Sequence, residues 1–393
     1  MMSNRPELAR TESSHIPMHE AVGPRWARTL TDPEAFAREQ AQLSQVWTLL
    51  GLTTDVPNDG DWIRGTLGGR SVFVQRFGDT LRGFENRCAH RFYPLRIKDR
   101  GNGPIRCGFH HWQYDKEGRA VGIPKCQEMY GVTPRGLDAR LAPVEVASCG
   151  TLIFGRFQRP GDNETLEQYL GDGFTILQAM FGGGAPVARI RRPVAANWKL
   201  CYHITIEDYH IVAVHPQSFG KDGYLTPDHV NYSRFGRHSA FFLEDETAQR
   251  MSERCREGTY RPVEYRVLHF FPNVVAAQIC AARNWYLILQ QFLPVSQDRT
   301  LMRGWCFRSP FPTHDRNWLD RIARQFVAPF VPLGIGYYWS KILAEDHGIC
   351  EQMQVHANQM RGAPLLSRQE ERIAWFEKTY EEAMMAAGPM PTP

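Results

Sequence analysis

The chain has 393 residues, more than one ordinary hydrophobic core takes and enough for two domains of typical size. Hydrophobic residues make up 42% and charged residues 22%, the composition of a soluble globular protein, and a net charge of +4 from 46 basic and 42 acidic side chains is too small and too dispersed to point to nucleic acid or a membrane surface. No apolar run approaches the ~20 residues of a membrane span, the start lacks the order of a secretory signal, and nine cysteines without a regular framework suit a reducing cytoplasm.

Residues 1–45 read as a helical segment that packs on the second half of the chain. Within it LTDPEAFAREQAQLSQVW, residues 30–47, puts apolar side chains on one face and Asp32-Pro33 near the start. From 46 to 157 the texture changes to short β-like runs between Gly, Asn and Asp turns, as in DWIRGTLGGRSVFVQRF and GTLIFGRF, the pattern of a small all-β domain. Residues 158–393 read as a second domain. There NWKLCYHITIEDYHIVAVH is long enough for one helix, ended by Pro216. Three strand-like runs follow, YRVLHFFPNVVAAQIC, NWYLILQQFLPV and TLMRGWCFRS, and then helix-like stretches around 315–327, 338–360 and SRQEERIAWFEKTYEEAMMAA. Strands followed by helices predict an α+β domain, an antiparallel sheet flanked by helices.

The all-β part contains CAHRFYPLRIKDRGNGPIRCGFHHW, in which Cys88-x-His90 is followed after sixteen residues by Cys107-x-x-His110. Each half supplies one sulfur and one nitrogen from a short loop. A Rieske [2Fe-2S] cluster needs this mixture, two thiolates for one iron and two imidazoles for the other, and neutral imidazoles raise its potential to roughly −150 to +300 mV. A structural zinc site is the alternative, although zinc modules usually pair Cys with Cys and His with His. His111 competes with His110; Cys-x-x-His selects His110, and strand alternation turns His111 away as a polar neighbour of the cluster.

The second part contains IEDYHIVAVHP, with His210 and His215 five apart. An oxygen-activating iron is commonly held by two histidines and one carboxylate. On an ideal helix five residues span ~140°, so the pair shares a face only if the helix bends or ends there, which Pro216 permits. Alone, two of fourteen histidines are weak evidence. A one-electron cluster in the same chain strengthens them, because it needs an acceptor and the remaining residues exceed what an electron carrier needs.

With these motifs in order, the sequence resembles the large (α) subunit of Rieske non-haem iron ring-hydroxylating oxygenases over nearly its whole length: CAH…CGFHHW, NWK, EDYHIVAVHP, HFFPN, the LPVSQDRT…W run and EDHGICEQMQ. The resemblance implies a helix-grip catalytic domain and a third iron ligand at Asp346, with Glu345 as the alternative. It also implies a role for Glu207, three residues before His210: linking a Rieske histidine of a neighbouring subunit to His210 in a homotrimer, with or without a small β subunit. On a helix Glu207 lies ~300° from His210, nearly the same side, and Asp208 ~200° away, which leaves Asp208 structural or solvated.

The chain departs from the family at His203-Ile204, where Glu-Asn is frequent, and at His111, where glycine is usual. His203 would share a helix face with His210 and is a candidate pocket or proton-delivery residue, a core histidine being the competing reading. FGGGA, Phe181 to Ala185, lacks the spacing of a dinucleotide loop, so NAD(P)H would be used by a partner, a flavin reductase with or without a ferredoxin. The expected reaction is hydroxylation of an aromatic compound with O2, to a cis-diol or a monohydroxylated product. Demethylation or hydroxylation at an aliphatic or N-methyl carbon is the alternative, and a pure electron carrier or a zinc-stabilised binding module is the reading from a different class. The pocket is expected to draw on Tyr202, Ile206, Val212, Phe219 and sheet aromatics. Substrate identity is not legible.

Overall fold

The computed structural model describes residues 26–216, 230–243, 246–281, 284–311, 331–360 and 364–385. The helix-like stretch at 315–327 and Phe219 lie outside them. Two helices open the described chain, α1 (Trp26–Thr31) and α2 (Pro33–Leu43). The Asp32 carboxylate accepts the Glu34 amide at 2.9 Å, and Pro33, with no amide proton to satisfy, takes the first position of α2.

The alternating runs that follow form ten strands, β1 (Thr48–Leu52), β2 (Asp61–Leu67), β3 (Arg70–Phe77), β4 (Thr80–Glu85), β5 (Arg100–Asn102), β6 (Ile105–Arg106), β7 (Gln113–Tyr114), β8 (Ala120–Gly122), β9 (Pro143–Cys149) and β10 (Leu152–Arg156). Seven make one antiparallel sheet in the order β1-β10-β9-β4-β3-β2-β5; β6, β7 and β8 make a small one. The two mixed Cys-His pairs fall in the loops after β4 and after β6.

A second seven-stranded antiparallel sheet is built from β11 (Ala188–Val194), β12 (Asn231–Phe235), β13 (His238–Phe242), β14 (Arg266–Phe270), β15 (Val274–Ala281), β16 (Asn284–Ser296) and β17 (Arg299–Arg308), in the order β11-β17-β16-β15-β14-β13-β12. The run YRVLHFFPNVVAAQIC, expected as one strand, is two. Phe271 to Asn273 make the turn between β14 and β15, where Pro272 has no amide to give a ladder. The long helix α3 (Val331–His356) packs against β17: a Cβ added at Gly304 would stand 2.3 Å from the Trp339 ring, so that approach requires glycine. Helices on an antiparallel sheet give the α+β, helix-grip arrangement. Among the described residues no helix is long and apolar enough to cross a membrane.

The single helix expected over 197–215 is a correction: the chain forms two short helices, Trp198–His203 and Ile211–Val214. Ile204, Thr205 and Ile206 crowd the helix with β-branched side chains, and the Thr205 hydroxyl takes the Tyr202 carbonyl at 2.6 Å.

Glu39 of α2 ties the N-terminal helices to this half. Its carboxylate accepts from the Trp198 indole at 2.6 Å and the Tyr380 hydroxyl at 2.5 Å and pairs with Lys199, which is buried like itself. Lys199→Ala leaves that carboxylate buried without its cation. The expected loss in unfolding free energy is about 3–5 kcal/mol, measured by urea denaturation; a loss under about 1 kcal/mol, the size of an exposed pair, contradicts it.

Candidate functional site

Cys88 and Cys107 stand at equivalent points of two loops built alike. In each, the cysteine amide donates to the carbonyl five residues on, Tyr93 at 2.8 Å or Trp112 at 2.9 Å. Its carbonyl accepts from the amide four residues on, Phe92 at 2.9 Å or His111 at 3.1 Å. That fourth residue is left-handed in both loops, φ 59° at Phe92 and 60° at His111, a conformation that costs an L residue roughly 1–2 kcal/mol. Glycine, which has no Cβ, would adopt it without that cost. His111 is exposed because it sits in a tight turn, not because a strand alternates.

The same turns bring the other four side chains together. The Nδ1 atoms of His90 and His110 lie 3.2 Å apart, and both thiols are buried. The Tyr114 hydroxyl sits 3.0 Å from the Cys88 sulfur, and the Phe109 amide donates to the Cys107 sulfur at 3.4 Å. Burial pushes the Cys88 thiol pKa up, so a thiolate there calls for a cationic partner. Two buried sulfurs and two converging imidazoles are the donor set a Rieske cluster takes.

At the second site one side chain organises the backbone. The Glu207 carboxylate accepts the Tyr209 amide at 2.5 Å and the His210 amide at 3.1 Å, starting the one-turn helix Ile211–Val214. His210 precedes that turn and His215 follows it, which is how residues five apart come to face one point: their ring centroids are 5.4 Å apart. Asp346 of α3 meets them, its Oδ1 lying 2.8 Å from His215 Nε2 and 3.5 Å from His210 Nε2. Ligand atoms of His210, His215 and Asp346 all fall within 4.8 Å of one another.

The outer nitrogen of each ring is held by a different carboxylate. Glu207 Oε1 is 2.5 Å from His210 Nδ1, and Glu345 Oε2 is 2.8 Å from His215 Nδ1. Burial would lower the His210 pKa, but Asp346 and then Glu207 outweigh it and hold it up at about 9; His215 is raised by Asp346 and Glu345 against the same burial. Three carboxylates around two imidazoles make a pocket of negative charge that a divalent cation would neutralise, and two Nε2 atoms with one carboxylate oxygen are the donors Fe(II) takes. Glu345, the alternative to Asp346, thus orients a ring from behind. Glu345→Gln is expected to weaken iron binding by about 10–100-fold at this site, measured by competition with a chelator; unchanged affinity contradicts that role.

Asp208 faces away. It accepts the Tyr232 hydroxyl at 2.5 Å and the Gln369 amide at 3.2 Å, with the Arg372 guanidinium at 3.4 Å, and so anchors the segment beneath the metal site. His203 is a second correction. With the helix broken after it, no common face carries it to His210. Its Nε2 lies 2.9 Å from Glu377 Oε1, and its ring stacks on Trp26 at 6.1 Å. His203→Ala is expected to lower thermal stability and leave turnover and coupling of O2 use to product unchanged; a change in coupling contradicts this placement.

A cavity of about 930 Å³ opens beside His210, His215 and Asp346, bounded by β13 to β16, α3 and the segment 204–215. Its wall is mostly apolar and aromatic, including Val212, Phe241, Tyr265, Trp285 and Trp339. Of the expected pocket residues Val212 lines it, whereas Tyr202 and Ile206 border a separate small hollow. The sequence reading missed His347 and Gln290 in the same wall. His347 is fully buried, and burial takes its pKa down to about 4. No periodicity marks either residue, since polar residues on a sheet or helix face more often meet solvent.

Comparison with known proteins bears on both sites. Residues 46–142 match the Rieske [2Fe-2S] domain family, and residues 182–386 the catalytic domain of the ring-hydroxylating α subunit. The chain is 29% identical over 208 residues to the large oxygenase component of salicylate 5-hydroxylase from a Ralstonia species, covering 49% of this chain and 48% of that protein. The match therefore spans about half that relative's length. Over 313 residues it is 26% identical to α subunit 2 of the terminal oxygenase component of terephthalate 1,2-dioxygenase from a Comamonas species, covering 68% and 71%. In fold it is similar to a quaternary ammonium Rieske monooxygenase in complex with L-carnitine, at TM-score 0.70 and 17% identity over 92% of this chain and 95% of that one.

Proposed function

The chain belongs to the ring-hydroxylating α-subunit family, and from that premise we propose that it is the terminal oxygenase of a multicomponent system that hydroxylates an aromatic compound. In this reading residues 46–157 carry the cluster on Cys88, His90, Cys107 and His110, residues 158–393 carry the mononuclear iron on His210, His215 and Asp346, and residues 26–45, the described part of the segment 1–45, pack on the second part. When bound, the cluster supplies electrons singly and the iron supplies activation of O2. The observation that carries the reading is the meeting of His210, His215 and Asp346 at the wall of a large apolar cavity.

The chain's own residues hold the geometry. Glu207 and Glu345 fix the two imidazoles through their outer nitrogens, so both Nε2 atoms face Asp346. The apolar wall keeps water from the substrate. Glu207, joined to His210, is the side chain through which a cluster histidine of a neighbouring subunit would be coupled to the second site. The cluster loops bear exposed Phe92 and Phe109, and the short helix Cys126–Tyr130, whose Tyr130 hydroxyl lies 3.4 Å from His90 Nε2, bears exposed Met129, apolar surface suited to burial against another copy. We take the assembly to be the homotrimer that the resemblance implies, with or without a small β subunit, and the reducing equivalents of NAD(P)H to come from a flavin reductase, with or without a ferredoxin.

Turnover with labelled O2, reductase and a panel of aromatics tests the function. A diol with both atoms from one O2, or a phenol with one, supports it; O2-independent product contradicts it. Demethylation at an N-methyl carbon is the second reading, favoured by the likeness in fold to the quaternary ammonium monooxygenase. A pure electron carrier leaves the match over residues 182–386 without a role.

A further inference from the structure

A second hollow, of about 420 Å³, lies where the two seven-stranded sheets meet, and neither metal site uses it. Residues of β1, β2 and β5 wall it on one side, and residues of β11, β16 and β17 on the other. Among the described residues five arginines and two aspartates line it, which leaves three positive charges unmatched.

Each aspartate already serves two arginines. Asp55 lies 2.7 Å from Arg189 and 3.7 Å from Arg100, and Asp99 lies 2.7 Å from Arg64 and 3.0 Å from Arg191. Arg189 and Arg191 belong to β11, so these pairs tie the two sheets together. Arg303 of β17 is the fifth arginine, and among the described residues no carboxylate pairs with it. It stands directly across the ladder from Arg191, an opposition of like charges that is destabilising by itself.

The Arg303 side chain is held in place. Its Nη2 donates to the Gln291 side-chain oxygen at 2.5 Å, and its guanidinium lies over the Trp305 ring at 5.3 Å. Gln291 is fully buried and fixed in turn, donating to the Leu49 carbonyl at 2.8 Å. Nε of Arg303 is buried without a partner, whereas Nη1 is neither paired nor buried and so stays open to a ligand in the hollow. Burial, and then Arg191, take the Arg303 pKa down to about 10, which keeps it charged at neutral pH. A partly buried charge without a counter-ion is costly, and a positioned guanidinium is the side chain that takes carboxylate and phosphate oxygens best. The volume falls within the roughly 300–1,000 Å³ of small-molecule sites, and Leu293 and Leu301 add apolar wall for an organic body.

We propose that this hollow binds a small oxyanion of two negative charges, a dicarboxylate or a phosphate- or sulfate-type ion, on Arg303 and its neighbour Arg191. The anion neutralises the opposed guanidinium groups, so its binding stabilises the seam between the two sheets.

Equilibrium dialysis of the holoenzyme against labelled sulfate or succinate, at an ionic strength fixed with sodium chloride, tests the proposal. About one ion is expected per chain, with a rise in melting temperature that chloride alone does not give. Sulfate and succinate separate the two sources, and saturable binding of either supports the site. Arg303→Met is expected to weaken binding about tenfold or more, as loss of a hydrogen bond to a charged group does. Arg191→Gln, at the exposed rim, is expected to weaken it about threefold, and both variants should keep the cluster spectrum. Asp346→Ala, at the other metal site, is expected to bind the ion as the parent does. No saturable binding of either ion, or undiminished binding in either folded arginine variant, overturns the proposal. So does loss of binding in Asp346→Ala, which would place the anion on the iron.

Discussion

Asp346→Ala is expected to lower oxygenation by ~10³-fold or more, the scale of removing a metal that supplies the chemistry, while leaving the cluster spectrum intact. Among the described residues Asp346 Oδ1 is the one carboxylate oxygen facing the Nε2 atoms of both His210 and His215. Without it two neutral imidazoles remain, too few donors and no anionic one for Fe(II). Glu345 cannot step in, because it is one residue along the helix and engaged at His215 Nδ1 on the outer side of the ring. Iron should fall from about three to about two atoms per chain, as expected when only a two-iron cluster remains. Retention of the third iron, or turnover within about tenfold of the parent, contradicts the assignment.

Glu207→Gln is the second large effect. The amide keeps the shape and one oxygen for the Tyr209 and His210 amides, so the turn at Ile211–Val214 survives. The negative charge beside His210 Nδ1 is lost. Turnover is expected to fall by about 10–100-fold, the usual cost of removing a carboxylate that orients a metal-bound histidine. With iron loaded to the parent content, substrate affinity should change little, and oxidation of the pre-reduced cluster, followed by stopped-flow absorbance, should slow in step with turnover. Cluster oxidation at the parent rate would mean that Glu207 only shapes the backbone.

The parts legible in the sequence were those whose information is local. Cys88-x-His90 and Cys107-x-x-His110 display their donor types over a few residues, and the alternating runs of 48–156 display their strands. His210 and His215 were harder. Periodicity suggested one helix, on which they diverge; the break comes from the Thr205 hydroxyl and the Glu207 carboxylate competing for backbone groups, which no hydrophobic pattern records. The same break undid the argument that set His203 beside the iron. The choice between Glu345 and Asp346 depends on which side of His215 each reaches, a tertiary fact. His347, fully buried and without a hydrogen-bond partner among the described residues, gave no signal, because nothing in the local pattern marks its burial.

The most direct test of two iron centres in one chain is the iron and acid-labile sulfide content of anaerobically loaded protein, combined with its visible spectrum. The account expects about three irons and two sulfides per chain, a two-iron cluster with two bridging sulfides and one mononuclear iron, in a coloured protein. Two irons with two sulfides, or a colourless protein containing zinc, would contradict it.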